Sequence, residues 1–468
     1  MSIAATPSVD VDLFADPVLA DPYEAYRALR DAGPAVYLAE HRVWVLARYR
    51  EVRDALHRHL VFSAAHPTGL LDVLTTRDPV RGRPHDGLTA GRVDGPAPGL
   101  PGGFTYGFTG GPAGDHPRLL GHGRERLASG TASASIGACC DHPLHGLAAD
   151  RRAPTLAELE ALIADQAARL VDELMARGSF DAVADLAYPF PLKTIGDLIG
   201  LPADGRPDLM LCAEASLQAN APLEDHAARA LLDLEHVFAL LAAELAAARA
   251  TTPAAPPVTA EVAAPARHGL GTLGPSAETP SAIAGPGHGD AFGPDPIVHL
   301  LKAFAMPCVQ AVAAGLTGML WLLATHPEAW HALRVDPSLV PAAVEESLRL
   351  ETPVQIYSRT TTRDVHIGGT LIRAGERVLL LLGAANRDPR RWPDPDAFDV
   401  HRDPTDHLGF GYGTQASLCA TLTKTHLRAI LDALVRRADH LYLDGSPRRR
   451  ISTTTRAFAS LPLHVTPW

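Results

Sequence analysis

Cysteine is scarce in this chain. The five residues, Cys139, Cys140, Cys212, Cys308 and Cys419, are an odd set, and none of them shows the C-x-x-C or Cys/His spacing of a zinc site. That excludes a disulfide framework and points to a reducing cytosol, with the thiols unpaired. A clustered basic stretch is also missing: 42 Lys and Arg against 53 Asp and Glu leave a formal charge of -11. Nucleic acid is therefore not expected as the main partner, because phosphate binding needs a concentrated positive surface. The opening segment MSIAATPSVDVDLFADP has neither the basic start nor the apolar core of a secretion signal, so a cytoplasmic protein is expected. Charge is absent from Ala303 to Thr325, 23 residues, which is long enough to span a bilayer. Pro307, Gln310, Gly315, Thr317 and Gly318 interrupt that run, and it reads as a central helix buried in a large domain, with no membrane contact.

Hydrophobic residues make up 46% and charged residues 20%, enough to bury a sizeable core. Asp21 to Ala32 has helical spacing, Val36 to Tyr49 alternates like two short strands about a turn, and Arg50 to Leu60 is a second helix. Thr155 to Gly178 places Leu156, Leu159, Ile163, Ala167, Leu170 and Leu174 on one face, with Thr155 as N-cap and Gly178 as C-cap. A further helix is read from Pro222 to Ala250. Strands are expected only near the ends and from Thr370 to Leu382. Residues 92–114 and 251–296 are rich in Pro, Gly, Ala and Thr without periodicity and read as flexible loops inside one domain covering 1–468.

Four blocks in the last third carry a family resemblance. They are VEESLRLETPVQ, with Glu346-x-x-Arg349; SRTTTRDVHIGGTLIRAGERVLLLLGAANRDP, with Arg359; WPDPDAFDVHRDP, with Arg402; and HLGFGYG, with His407 and Phe410. In order and spacing the chain resembles the bacterial class of cytochromes P-450. DPYEAYRALRDAGPA, VDELMARGSFDAVADLAYPFPLKTIGDLIGLP and LLATHPEAW extend the resemblance to roughly Ala15 to Pro467. It implies a mainly α fold with small β-sheets, the cytochrome P-450 fold. It also implies a buried network of Glu346, Arg349 and Arg402 beneath the haem loop, and propionate contacts from His116, Arg118, Arg359 and His407.

Two departures stand out. The family's haem loop reads F-G-x-G-x-H-x-C-x-G, whereas this chain has Phe410, Gly411, Tyr412, Gly413, Thr414, Gln415, Ala416, Ser417, Leu418 and Cys419. Serine occupies the ligand position, and Cys419 stands where the family keeps a small residue. A thiolate pushes electron density onto iron and favours O–O cleavage; a serine hydroxyl does not supply this at neutral pH. Ser417 alternatively reads as a helix N-cap, and Cys419 as a small buried thiol. The family's oxygen-relay window, an acid and an alcohol on the central helix, falls within Met306 to Val312, where Pro307, Gln310 and Ala311 offer neither group. Gln310 reads as a satisfied amide. His116, His122, His142 and His145 lack a metal-ligand spacing.

An intact scaffold with two lost pieces of oxidation machinery resembles the haem-less branch of the family. Those proteins support glycosyltransferases that attach deoxyaminosugars in macrolide and anthracycline biosynthesis. The resemblance implies a non-catalytic auxiliary protein without cofactor, joined to a glycosyltransferase as a hetero-oligomer. Two alternatives stay open: a haem-dependent enzyme with Ser417 or Cys419 at the iron, and a small-molecule carrier.

Overall fold

The computed structural model describes residues 9, 11–64, 156–199, 306–412 and 418–468. The two glycine- and proline-rich stretches, the helix read at 222–250, Thr155, His116, Arg118 and the other clustered histidines lie outside the described residues.

The chain opens with α1 (Asp16–Ala20), α2 (Tyr23–Ala32), β1 (Val36–Leu38), β2 (Val43–Leu46), α3 (Tyr49–His57) and β3 (Phe62–Ser63). Helix α2 buries Tyr26, Leu29 and Arg30, a spacing that sets one face inward. The Tyr49 amide at the start of α3 donates to the Asp388 carboxylate at 2.9 Å, so a residue more than three hundred positions away caps this helix.

Next come α4 (Leu156–Arg177), β4 (Ser179–Asp181), a π-helical turn (Ala182–Ala187) and α5 (Pro189–Ile199). Leu159, Ile163, Ala167, Val171 and Leu174 form the buried stripe of α4, and Gly178 follows in the left-handed region with φ +75°, the conformation that ends a helix at low cost when the residue is glycine. The uncharged run forms α6 (Met306–Thr325). It is long and apolar enough to cross a membrane, but 83% of its most apolar window is buried inside the fold. It packs on α5, the π-helical turn and the elements that follow it.

After α7 (Pro327–Val335) and α8 (Val340–Leu350) come β5 (Ile356–Thr361), β6 (Val365–Ile367), β7 (Thr370–Ile372), β8 (Arg377–Leu381) and the short α9 (Leu382–Ala385). The chain ends with α10 (Leu418–Val435), β9 (Ala438–Leu443), β10 (Arg448–Arg450), β11 (Ala457–Ser460) and β12 (Pro462–Pro467). Strand β4 falls outside the places where strands were expected, and β5 and β6 lie in the block with Arg359, whose strand-turn-strand pattern is part of the family resemblance. Strand β5 sits inside a sheet, between β8 and β3, and Ile356 and Tyr357 are buried on opposite faces. A strand covered on both faces does not alternate polar with apolar.

The largest sheet has the order β1-β2-β8-β5-β3, parallel between β2 and β8 and antiparallel elsewhere. Along β8, Val378 and Leu380 enter one apolar cluster, Leu379 and Leu381 another, as the two-residue period of a strand requires. A third and larger cluster unites α4, α5, α6, α8 and α10.

Candidate functional site

The site is built from α6, α8, α10 and the coil between α9 and α10. On α8 the i, i+3 spacing brings Glu346 and Arg349 to one face, and both are fully buried. Arg349 grips the Glu346 carboxylate with Nε at 2.7 Å and Nη2 at 2.8 Å, the two-pronged geometry that guanidinium and carboxylate share. Its remaining hydrogens go to the carbonyls of Asn386, Pro395 and Ala397 at 2.8, 2.7 and 3.0 Å. Arg402 adds a bond from Nε to Glu346 at 3.1 Å and holds the carbonyls of Pro393 and Asp394. The charges are thus compensated inside the core, as buried ions must be, and the coil from Asn386 to Arg402 is tied to α8 along its length.

That coil supports the loop in question. Asn386 donates to the Thr352 hydroxyl at 2.8 Å and accepts from the Leu408 amide at 2.7 Å. Phe410 is buried in the helical core. Gly411 turns the chain with φ +89°, its amide bonded to the Leu408 carbonyl at 3.0 Å. Tyr412 lies under the Arg53 guanidinium of α3, 4.4 Å from ring centre to carbon, and its hydroxyl bonds the same arginine. Gly413, Gln415 and Ser417 lie outside the described residues.

His407 is engaged on both ring nitrogens by protein groups. Its Nδ1 accepts from the Gly409 amide at 3.0 Å, which leaves the proton on Nε2, 2.9 Å from Glu345 Oε2. Lys424 of α10 meets the same oxygen at 2.8 Å. Burial pushes the His407 pKa down despite Glu345. Burial pushes Glu345 up, but His407 and Lys424 together bring its carboxyl below the usual range. His407, to which the resemblance gave a propionate contact, thus faces a protein carboxylate. Arg359 is buried on β5, donates to the Ser358 carbonyl at 2.8 Å and lies 4.9 Å from the Tyr357 ring.

From Pro307 to Val312 the relay window is packed against protein. Pro307 is buried, Cys308 and Val312 are fully buried, and Gln310 and Ala311 are each 5% exposed. Thr317, the nearest alcohol, donates to the Ala313 carbonyl of its own helix at 2.8 Å. Cys308 forms a disulfide with Cys419 across 111 positions of sequence. This overturns the reading of five unpaired thiols and of Cys419 as a free buried thiol. Composition misled because an odd, sparsely spaced set says nothing about a pair that the fold brings together. The signal was nonetheless present: one cysteine falls in the relay window and the other two residues after the ligand position.

Members of the fold family seat haem between those two segments, and the residues here do not fit it. A flat ring contacted on both faces keeps its flanking atoms about 7 Å apart, two carbon–carbon contacts. The Cα atoms of Cys308 and Cys419 are 4.9 Å apart, and nothing fits between bonded sulfurs. Farther along, an added Cβ on Gly315 of α6 would meet Thr423 and Leu427 of α10 at 3.2 and 3.3 Å, so the helices stay in close contact for more than a turn.

Sequence reasoning also missed Glu351, a buried carboxylate with Arg449 at 2.7 Å, Arg456 at 3.1 Å and Arg387 at 3.5 Å, since the three arginines lie 36 to 105 positions away. Among the described residues no group of His, Cys, Asp or Glu is arranged to hold a metal.

Fold and site together define the scaffold of a haem-thiolate protein whose ligand position holds serine. The chain belongs to the cytochrome P450 family: the family profile matches residues 285–465, and cytochrome P450 CYP199A2 of Rhodopseudomonas palustris is 30% identical over 465 residues, covering 99% of this chain and 96% of that one. Beta-dihydromenaquinone-9 omega-hydroxylase of Mycobacterium tuberculosis is 28% identical over 466 residues, 98% of this chain and 79% of its own. Among solved structures, CalO2 superimposes with a TM-score of 0.65 at 26% identity, covering 98% of this chain and 99% of that chain. Haem is the group the family normally binds.

Proposed function

We propose that this chain is a non-catalytic cytochrome P450 homologue that binds and stabilises a glycosyltransferase attaching a deoxy or deoxyamino sugar to a polyketide-type natural product. The observation that carries the reading is Ser417 at the ligand position of a loop whose supporting network, Glu346, Arg349 and Arg402, is fully formed. Without a thiolate, oxygen activation of the family's kind lacks its electron donor, and the relay window offers no acid or hydroxyl. A scaffold retained without its chemistry serves by its surface. An auxiliary protein that binds one conformation of its partner shifts the partner's equilibrium towards it and protects it by mass action.

The test is the absorbance spectrum of protein produced with ample haem, recorded before and after dithionite and carbon monoxide, together with co-purification of a co-expressed sugar transferase. The reading expects no Soret band and a stable complex. The named relatives include a hydroxylase, which favours a haem-dependent enzyme as the second reading; a stoichiometric Soret band in the purified protein would establish that reading instead.

A further inference from the structure

We propose that the Cys308–Cys419 disulfide is a redox-controlled lock that holds α6 against α10 in the space a haem would need, so that the haem-free fold depends on it for stability. The proposal deepens the non-catalytic reading and rests on it only in taking the haem-free protein as the native form.

Three observations converge on this bond. Its residues come from the two segments that flank haem in the family, the relay window and the start of the helix after the ligand loop. Both are buried, Cys308 fully and Cys419 to 3% exposed, in the largest apolar cluster among the described residues. The bond closes a span of 111 positions, and a cross-link removes more disorder from the unfolded chain the longer the loop it closes. In a relative, the cofactor lies between the central helix and the segment that holds its iron. Here the central helix and the helix after the ligand loop are joined by a covalent bond, in register with the close approach of Gly315 to Thr423 and Leu427.

The bond forms when the Cys308 thiolate attacks a low-molecular-weight disulfide. One thiol leaves, and the Cys419 thiolate displaces the second, giving the protein disulfide and two reduced thiols in total. Two electrons pass from the protein to the small disulfide. Reduction by excess thiol runs the same steps backwards, and burial makes it slow in the folded state, because the attacking thiolate must reach sulfur.

The lock is tested on the full chain in two measurements. In the first, thermal unfolding is followed with and without a strong thiol reductant, for the parent and for Cys308→Ser and Cys419→Ser, with peptide mapping after alkylation to count blocked thiols at 308 and 419. The parent is expected to lose on the order of 2 to 5 °C on reduction, and both variants to unfold at the reduced midpoint whether or not reductant is present. An unchanged parental midpoint, or alkylation of both thiols in the native protein as purified, overturns the proposal. The parental comparison decides the matter even if neither variant accumulates. In the second, hemin is titrated into the oxidised protein; no Soret change is expected, and stoichiometric uptake with the disulfide still intact overturns the lock. Loss of the lock with a transferase still bound leaves the auxiliary reading standing, whereas an intact lock with no transferase bound defeats only the auxiliary reading.

Discussion

Removing the Glu346 carboxylate strands the fully buried guanidinium of Arg349 and takes away one bond of Arg402. An uncompensated buried charge costs about 3 to 5 kcal/mol, so Glu346→Ala is expected to lose that much stability in urea titrations. A change below about 1 kcal/mol would show that the ion cluster contributes little to the fold. His426 of α10 offers a second test. It is fully buried; its Nδ1 donates to the Leu422 carbonyl at 2.6 Å, and its Nε2 accepts from the Thr194 hydroxyl of α5 at 2.5 Å. Burial lowers its pKa to about 4. The unfolded chain takes up a proton as pH falls below about 6.5 while the folded one does not, so stability is complete above that value and declines between pH 6.5 and about 4. The expected loss is on the order of 3 kcal/mol across that window. His426→Gln should flatten this part of the pH profile, read as the urea midpoint at half-unit steps; an equally steep profile in the variant would assign the slope to other groups.

At the scale of elements, α6 is placed by its small residues. An added Cβ on Gly318 would lie 3.0 Å from the Cβ of Glu351, which three arginines hold in place and which therefore cannot step aside. Gly318→Ala is expected to cost about 1 to 3 kcal/mol as overpacking, measured by thermal unfolding. Gly375, with φ +80° and no atom within 4 Å of an added Cβ, would in contrast suffer only backbone strain on the same substitution. Helices α2, α3 and α4 were legible in sequence because they are amphipathic, and the β1–β2 hairpin because two short apolar runs flank a polar turn, although β2 is buried on both faces. The positions of Glu346, Arg349 and Arg402 could be read from motif spacing. Their geometry could not, since the carbonyls they bind belong to irregular coil between 386 and 397, where no periodicity exists to be read. The Glu345–His407–Lys424 contact and the Cys308–Cys419 bond escaped for the same reason: each joins segments whose proximity is a property of the tertiary fold.

For the whole molecule, the burial of α6 decides between two fates for an uncharged helix. The protein is expected to stay in the supernatant after ultracentrifugation of a detergent-free lysate; recovery in the membrane pellet would mean that α6 is not packed as described. The arrangement of the main sheet has a consequence for how the chain is made. Strands β1 and β2 form a hairpin with each other, but among the described residues β2 completes its other edge on β8 and β3 pairs with β5, more than 290 residues downstream. At about 5 to 20 residues per second of synthesis, the first sixty residues wait roughly 15 to 60 seconds for their neighbours to leave the ribosome. Throughout that interval Trp44, Leu46 and Phe62 have no sheet to join. The nascent chain at this stage is expected to be a client for chaperones and a target for proteases, so that its yield in a cell should depend on that delay as well as on the stability of the finished fold.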